Sequence, residues 1–101
     1  MTTYDEVMQE IKQEIANGQD LDSIKDRSYE LVDNYVPVYN NRIVEEWQEM
    51  PGEYDNRGYS ELGVMGEISI LNLMSLDLYV YYTDLVDLVI TDLEKELESV
   101  E

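Results

Sequence analysis

Carboxylates are the side chains of this sequence whose number and spacing suggest chemistry. The chain of 101 residues holds 24 Asp and Glu against 6 Lys and Arg, which gives a formal net charge of -18. Two carboxylates can act together as general acid and base, and clusters of them bind calcium. Among so many acids a pair arises by chance, however, and no segment has the spacing of an EF-hand loop. The carboxylates therefore predict neither a hydrolase nor a dedicated metal site.

The residues that other common kinds of catalysis require are absent from the sequence. The sequence contains no Cys and no His, which removes thiolate nucleophiles, disulfides, the commonest general base and the usual zinc ligands. It also contains no glycine-rich phosphate loop. We therefore predict a protein that is not an enzyme and needs no cofactor, and the acid itself becomes the candidate functional feature.

The charge exceeds what solubility requires. A net charge of magnitude about 2–8 keeps a small domain soluble, and each pair of like charges four residues apart destabilises a helix by roughly 0.2–0.5 kcal/mol. Glu6, Glu10 and Glu14 have this spacing. The excess indicates that the acids serve to bind a basic partner, and it argues against nucleic acid and anionic membranes as partners.

The apolar residues suffice for a folded domain. The 28 Leu, Ile and Val, with nine Tyr and one Trp, exceed the level of roughly 20% below which acidic chains stay unfolded. Apolar residues recur at helical spacing, with acids on the opposite faces. We predict one all-α domain over residues 1–101, built from three shorter helices and one long C-terminal helix.

Capping and breaking residues bound the three shorter helices. The first covers about 3–17 after a capping box of Thr3 and Glu6, and the second covers about 21–35 after Asp20. The third is predicted to begin at Pro37. Its apolar side comprises Tyr39, Ile43, Val44, Trp47 and Met50. Its acidic side comprises Glu45, Glu46 and Glu49.

The long helix is predicted from about 60 to 101, with Ser60 as its cap. It is apolar nearly all round from Leu62 to Val80, which predicts the buried centre of the domain. Alternation over 76–81 also permits a strand, but a helix aligns Asp77, Asp84, Asp87, Glu94, Glu98 and Glu101 on one third of its surface. The acids in this segment argue against a membrane span. Because the N-terminal residues do not have the pattern of a signal peptide, we expect a cytoplasmic protein.

The outward carboxylates have a spacing that suits phosphate mimicry. Side chains four residues apart on a helix are separated by about 6 Å along its axis, close to the separation of neighbouring phosphates. Duplex DNA carries about one charge per 1.7 Å, so a net charge of -18 corresponds to roughly 31 Å of duplex. The candidate target-binding carboxylates are Glu6, Glu10, Glu14, Asp22, Asp26, Glu30, Asp33, Glu45, Glu49, Asp77, Asp84, Asp87, Glu94 and Glu98.

Several motifs, in order, resemble the Ocr anti-restriction proteins of T7-like bacteriophages. An acidic helix follows Met1-Thr2-Thr3-Tyr4, and the acidic C-terminal end covers 94–101. Between them, two segments are similar to the family, and the resemblance covers most of the chain. The first is Asp33-Asn34-Tyr35-Val36-Pro37-Val38-Tyr39, followed by Ile43. The second is Leu76-Asp77-Leu78-Tyr79, followed by Asp84-Leu85-Val86.

The resemblance implies a homodimer of helical subunits shaped like bent B-form DNA. Such a dimer fills the DNA groove of bacterial type I restriction–modification enzymes, and the implied action extends to other DNA-binding defence proteins. By position, Asp33, Asp77 and Asp84 match acids of the family. The family's dimer contact is apolar and contains Met, whereas residues 43–50 here are partly acidic. Val44, Trp47 and Met50 remain the candidate dimer contacts, and the acidic tail is shorter than in the family.

A second class of function fits the same charge. An acidic adaptor or chaperone would hold a basic host protein without the geometry of DNA, and a carboxylate enzyme or metal buffer is a more remote third class. Competition with duplex DNA separates the first two classes, because only a mimic must exclude DNA from its target. The sequence does not name the target enzyme.

Overall fold

The regular secondary structure of the described part of the chain is all helical. A computed structural model describes residues 1–51 and 67–99. Within these ranges the chain forms α1 (Tyr4–Ala16), α2 (Leu21–Asp26), α3 (Ser28–Tyr35), α4 (Asn40–Glu49) and α5 (Glu67–Ser99), and it forms no strand. The predicted all-α fold with a long C-terminal helix is confirmed, and the strand alternative over 76–81 is wrong. The predicted cap at Ser60 and the start of the apolar stretch at Leu62 lie outside the described residues.

Local capping explains where α1 begins and ends. The Thr3 hydroxyl accepts a hydrogen bond from the Glu6 backbone N–H at 3.3 Å, as the capping box predicts. Asn17 ends the helix, and Gly18 follows with a φ of 100°, in the left-handed region that favours glycine. Both predicted ends of this helix are confirmed.

The predicted helix over 21–35 is divided at Arg27. Asp20 caps α2 as predicted, because its carboxylate accepts from the Ser23 N–H at 2.8 Å. Arg27 leaves helical geometry with φ -110° and ψ 19°, and its side chain donates to Gln19 Oε1 at 2.9 Å. A one-residue turn preserves the helical spacing of the buried Ile24 and Leu31 on its two sides, so the sequence pattern continues through the break.

Pro37 does not begin a helix. α4 begins at Asn40, and Tyr39 precedes it as an N-cap without a side-chain hydrogen bond. The pyrrolidine ring disfavours helical geometry in the preceding residue, Val36. Pro37 therefore lies just after the end of α3, in the connection that leads to α4. Tyr39, predicted to lie on the apolar side of this helix, is 71% exposed.

The chain divides into two compact units, and α5 contributes to both. We name Thr2–Tyr35 with Thr83–Glu101 the terminal unit, and Met1 with Val36–Tyr82 the central unit. The predicted single domain over 1–101 stays a prediction. The buried apolar side chains of the terminal unit are Val7, Ile11, Ile24, Leu31, Val32, Val86, Val89, Ile90 and Leu93. Those of the central unit are Ile43, Met50, Leu78 and Tyr82.

The apolar stretch of α5 is not the buried centre where the structure describes it. Leu76, Tyr79 and Val80 are exposed, whereas Val86 and Val89, further along the helix, are fully buried. The second half of α5 shares its unit with α1, α2 and α3, whereas the first half shares the described part of its unit with α4 alone. Leu78 and Tyr82 are nevertheless fully buried, so the first half of α5 buries one face and not its whole circumference where the structure describes it. No helix within the described ranges is long and apolar enough to cross a membrane.

Candidate functional site

The terminal unit holds most of the acid. Of the 24 acidic residues, 16 belong to this unit, together with only four of the six Lys and Arg. Its helices α1, α2 and α3 and the second half of α5 turn their apolar faces to a common core. The charged faces are therefore left on the surface, which is the arrangement that helical amphipathicity predicts.

Most of the predicted target-binding carboxylates are exposed. Of the fourteen, eleven are exposed, Glu14 and Glu94 are half-buried, and Asp77 is buried. The eleven are Glu6, Glu10, Asp22, Asp26, Glu30, Asp33, Glu45, Glu49, Asp84, Asp87 and Glu98. All of these except Glu45 and Glu49 belong to the terminal unit, so the structure places the larger part of the candidate site on one unit.

Asp77 is a correction to the predicted site. It is 3% exposed, and its carboxylate accepts a hydrogen bond from the indole Nε1 of Trp47 at 3.1 Å. A buried carboxylate that is occupied in this way offers no charge to an external partner. The helical wheel placed Asp77 correctly in line with Asp84, but a wheel does not show which neighbouring helix covers a position.

Glu46 is a second acid that the sequence placed wrongly on the surface. It is 5% exposed, it accepts a hydrogen bond from the Tyr82 hydroxyl at 2.6 Å, and it lies 3.7 Å from Arg42 Nη2. Burying a carboxylate is unfavourable unless it is hydrogen-bonded. Tyr82 supplies that bond to Glu46. The Tyr82–Glu46 and Trp47–Asp77 bonds both join α4 to α5 within the central unit.

Lysines neutralise a few acids of the terminal unit. Lys25 Nζ lies 3.0 Å from Glu94 Oε1, and Lys12 Nζ lies 3.6 Å from Glu96 Oε1. The hydrogen bond and charge of Glu94 raise the pKa of Lys25, which keeps it protonated. Exposed pairs of this kind stabilise a protein only slightly. Their clearer effect is that Glu94, a predicted target-binding residue, is partly neutralised.

Two tyrosines hold acids of the terminal unit without neutralising them. The Tyr4 hydroxyl on α1 donates to Asp92 Oδ2 on α5 at 2.5 Å, and the Tyr35 hydroxyl on α3 donates to Glu10 Oε2 on α1. The bond to Asp92 raises the pKa of Tyr4, and burial followed by the bond to Glu10 raises the pKa of Tyr35. Sequence reasoning missed Asp92 and both donors, although nine Tyr and no Phe were a signal that hydroxyls are needed.

A small acidic cleft lies among α1, α2 and α3. It has a volume of about 90 Å³ and is lined by Glu10, Glu14, Ile24, Arg27, Glu30, Leu31 and Asn34. Three predicted target-binding carboxylates therefore meet at one recess, although they come from two different helices. A recess of this charge suits the end of a basic side chain, and Arg27 of the chain itself already lines it.

The predicted dimer contacts are less accessible than the sequence indicated. Met50 is buried, and Val44 and Trp47 are half-buried. Met50 belongs to the core of the central unit, so it offers no surface to a partner. Among the described residues of that unit, the large apolar side chains that are exposed are Val38, Tyr39, Leu76, Tyr79 and Val80. Two of them, Leu76 and Tyr79, line a groove of about 410 Å³ together with Val36, Asn72 and Ser75.

Within the described ranges, no three acidic side chains are arranged so that they could hold a metal ion.

Comparison with protein-family models, curated proteins and solved structures finds no match to this chain. The resemblance to Ocr-like proteins therefore stays a prediction, and function has to be argued from the acidic surface.

Proposed function

We propose that this protein is a DNA mimic of the Ocr type, which binds and blocks the DNA groove of bacterial type I restriction–modification enzymes. The observation that carries the proposal is the charge of the terminal unit, which contains 16 acidic and four basic residues and exposes nine of the predicted target-binding carboxylates. In this proposal the protein acts in the host bacterial cytoplasm, without catalysis and without a cofactor, and other DNA-binding defence proteins are further candidate targets.

The helical scaffold supports mimicry because it fixes the spacing of charges. Glu6, Glu10 and Glu14 follow one another along α1 at intervals of about 6 Å. Lys and Arg in a DNA groove bind phosphates through charge and geometry, and such contacts carry no base sequence. A helix that presents carboxylates at a similar interval offers the same groups an equivalent row of acceptors.

We propose further that the protein is a homodimer, joined through the exposed apolar side chains of the central unit and not through Met50. Two chains of charge -18 repel each other, so a self-association surface has to exclude carboxylates. Among the described residues that line the groove, namely Val36, Asn72, Ser75, Leu76 and Tyr79, none is charged. Apolar surface of this kind on a small domain is typical of an interface.

The adaptor function is the second candidate, and the same exposed apolar side chains favour it. An adaptor would bind a basic host protein with a few apolar contacts dominating the affinity, and Leu76 and Tyr39 are exposed enough to provide them. A mimic relies instead on many carboxylates that share one electrostatic field. The two functions therefore differ in their dependence on salt and on competing DNA.

Displacement of DNA tests the proposal directly. A type I methyltransferase core bound to fluorescent duplex DNA is titrated with the protein at low and moderate salt. We expect the protein to displace DNA of any sequence, with an affinity that falls steeply as salt rises. Binding that leaves the DNA in place would favour the adaptor, and an absence of binding would reject this class of target.

A further inference from the structure

We propose that Tyr4 and Tyr35 are positioning residues, which hold Asp92 and Glu10 in fixed orientations for the target while leaving their charges intact. This inference rests on the proposed function, because a fixed carboxylate matters most to a partner built for rigid phosphates. It goes beyond that function by assigning a role to uncharged side chains of the acidic unit.

Each of the two bonds joins a pair of helices. Tyr35 on α3 reaches Glu10 on α1, and Tyr4 on α1 reaches Asp92 on α5. The ring of Tyr35 is half-buried, whereas Glu10 is exposed. The half-buried ring of Tyr35 therefore holds a carboxylate that otherwise lies in solvent. Through Glu10 and Tyr4, α1 is bonded to α3 and to α5.

The choice of donor preserves the negative charge. Lys12 and Lys25 also hold acids of this unit, namely Glu96 and Glu94, but each of these pairs cancels one negative charge. A phenol hydroxyl donates a short, charge-assisted hydrogen bond and adds no positive charge. The two tyrosines thus give the inter-helix bonds that Lys or Arg would give, without reducing the net charge of the surface.

Fixed orientation favours binding to a rigid groove. A phosphate in duplex DNA is held by its backbone, whereas a free Glu side chain loses rotamer freedom when a partner orders it. Ordering the side chain in advance reduces that loss on binding. Glu10 and Asp92 should therefore contribute more to affinity for a rigid groove than a mobile carboxylate of equal charge.

The variant Tyr35→Phe removes only the hydroxyl, and Tyr29→Phe is its matched control. Tyr29 is exposed on the same helix, and its hydroxyl lies 3.5 Å from the adjacent Glu30, at the limit of a hydrogen bond. We expect Tyr35→Phe to weaken binding to the type I methyltransferase core roughly twofold to tenfold, and Tyr29→Phe to leave it unchanged. Binding to flexible poly-arginine should be unchanged in both variants, because a flexible polymer adapts to mobile carboxylates.

Two further measurements separate positioning from a merely structural role. In a Glu10→Gln background, Tyr35→Phe should no longer weaken binding to the core, because its effect acts through the Glu10 carboxylate. In phenolate absorbance, Tyr35→Phe should remove one tyrosine that ionises above pH 10, and in Glu10→Gln the same ionisation should shift to lower pH, because the bond and charge of Glu10 help to raise the pKa of Tyr35.

Three results would overturn the inference. They are an unchanged affinity of Tyr35→Phe for the core, an equal loss toward poly-arginine, and an undiminished effect in the Glu10→Gln background. A wild-type protein that fails to bind the core would refute the proposed function, and the positioning role with it. The shift of the tyrosine ionisation in Glu10→Gln would then still decide whether the Tyr35 hydroxyl lies against the Glu10 carboxylate in solution.

Discussion

The carboxylates of this protein are not equivalent, because they differ in burial and in the side chains that donate hydrogen bonds to them. Asp77 and Glu46 are buried and bound by Trp47 and Tyr82 in the central unit. Glu10 is exposed and yet held by a hydroxyl. These acids carry the same formal charge, but the two buried ones form hydrogen bonds between α4 and α5, whereas the exposed ones present their charge to solvent.

Replacing Asp77 should destabilise the protein, and replacing an exposed acid should not. Asp77→Ala removes the buried acceptor of the half-buried Trp47 indole inside the central unit, and loss of a hydrogen bond of this kind destabilises by about 1 kcal/mol. Asp87→Ala is the control, because Asp87 is exposed on the same helix and should change stability by less than about 0.5 kcal/mol. Urea unfolding monitored by circular dichroism measures both, and equal effects would contradict the assigned burial.

High pH should weaken the terminal unit through Tyr4 and Tyr35. The folded state raises both pKa values, so it favours the neutral phenols, whereas the unfolded chain releases these protons near pH 10. The resulting stability is complete below about pH 10 and declines as pH rises above it toward the folded pKa. Melting temperatures between about pH 8 and 11.5 should fall less steeply for the double variant Tyr4→Phe/Tyr35→Phe than for wild type. Parallel curves would argue against a contribution from these hydroxyls.

Helix ends were predictable where they depend on neighbours in sequence. Thr3 and Asp20 cap the expected helices because a cap involves the side chain and an N–H three residues later. The turn at Arg27 and the exposure of Leu76 were not predictable. The turn leaves the apolar period intact, and exposure depends on which other helices pack against the first half of α5. The exposed acids of the terminal unit were therefore largely identified from sequence. Asp77 of the central unit was predicted to be exposed and is buried.

Capping makes one testable difference within α2. Asp20→Ala removes the acceptor of the Ser23 N–H at the start of this short helix, and we expect a loss of about 1 kcal/mol of stability. Asp26→Ala removes the same charge from the last turn of the helix, where a negative charge is unfavourable. The control should therefore be neutral or slightly stabilising in thermal unfolding. Equal melting temperatures for the two variants would show that the cap contributes nothing.

Charge and apolar surface are distributed differently over the molecule, and the proposed dimer depends on that difference. Leu76→Asp places a charge in the groove that Val36, Leu76 and Tyr79 line in the central unit, and it should convert a dimer to a monomer at micromolar concentration. Leu88→Asp is the matched control, because Leu88 is similarly exposed on α5 but belongs to the terminal unit. Light scattering measures the mass of each. A monomeric wild type, or a Leu76→Asp dimer, would reject the groove as the self-association surface.

Exposed carboxylates of the terminal unit other than Glu10 and Asp92, which tyrosines hold, should make small and roughly equal contributions to binding. Single variants such as Asp84→Asn should barely weaken binding to a methyltransferase core, because each removes one charge from many. Neutralising exposed acids of α5 together, as Asp84→Asn/Asp87→Asn/Glu98→Gln, should weaken binding progressively and reduce its dependence on salt. Fewer ions are then exchanged when the surfaces meet. Helix content should be unchanged, since relief of like-charge repulsion favours the helix.

Asp77→Asn provides the control that separates field from fold in this series. Asp77 is aligned with Asp84 along α5 but is buried against Trp47, so its neutralisation should leave the salt dependence of binding unchanged. If adding Asp77→Asn to the triple variant reduces the salt dependence further, the assignment of exposed acids as the binding surface is wrong. If the triple variant binds as tightly as wild type at every salt concentration, the carboxylates of α5 do not replace phosphates. An adaptor that binds through Leu76 and its apolar neighbours then becomes the better explanation.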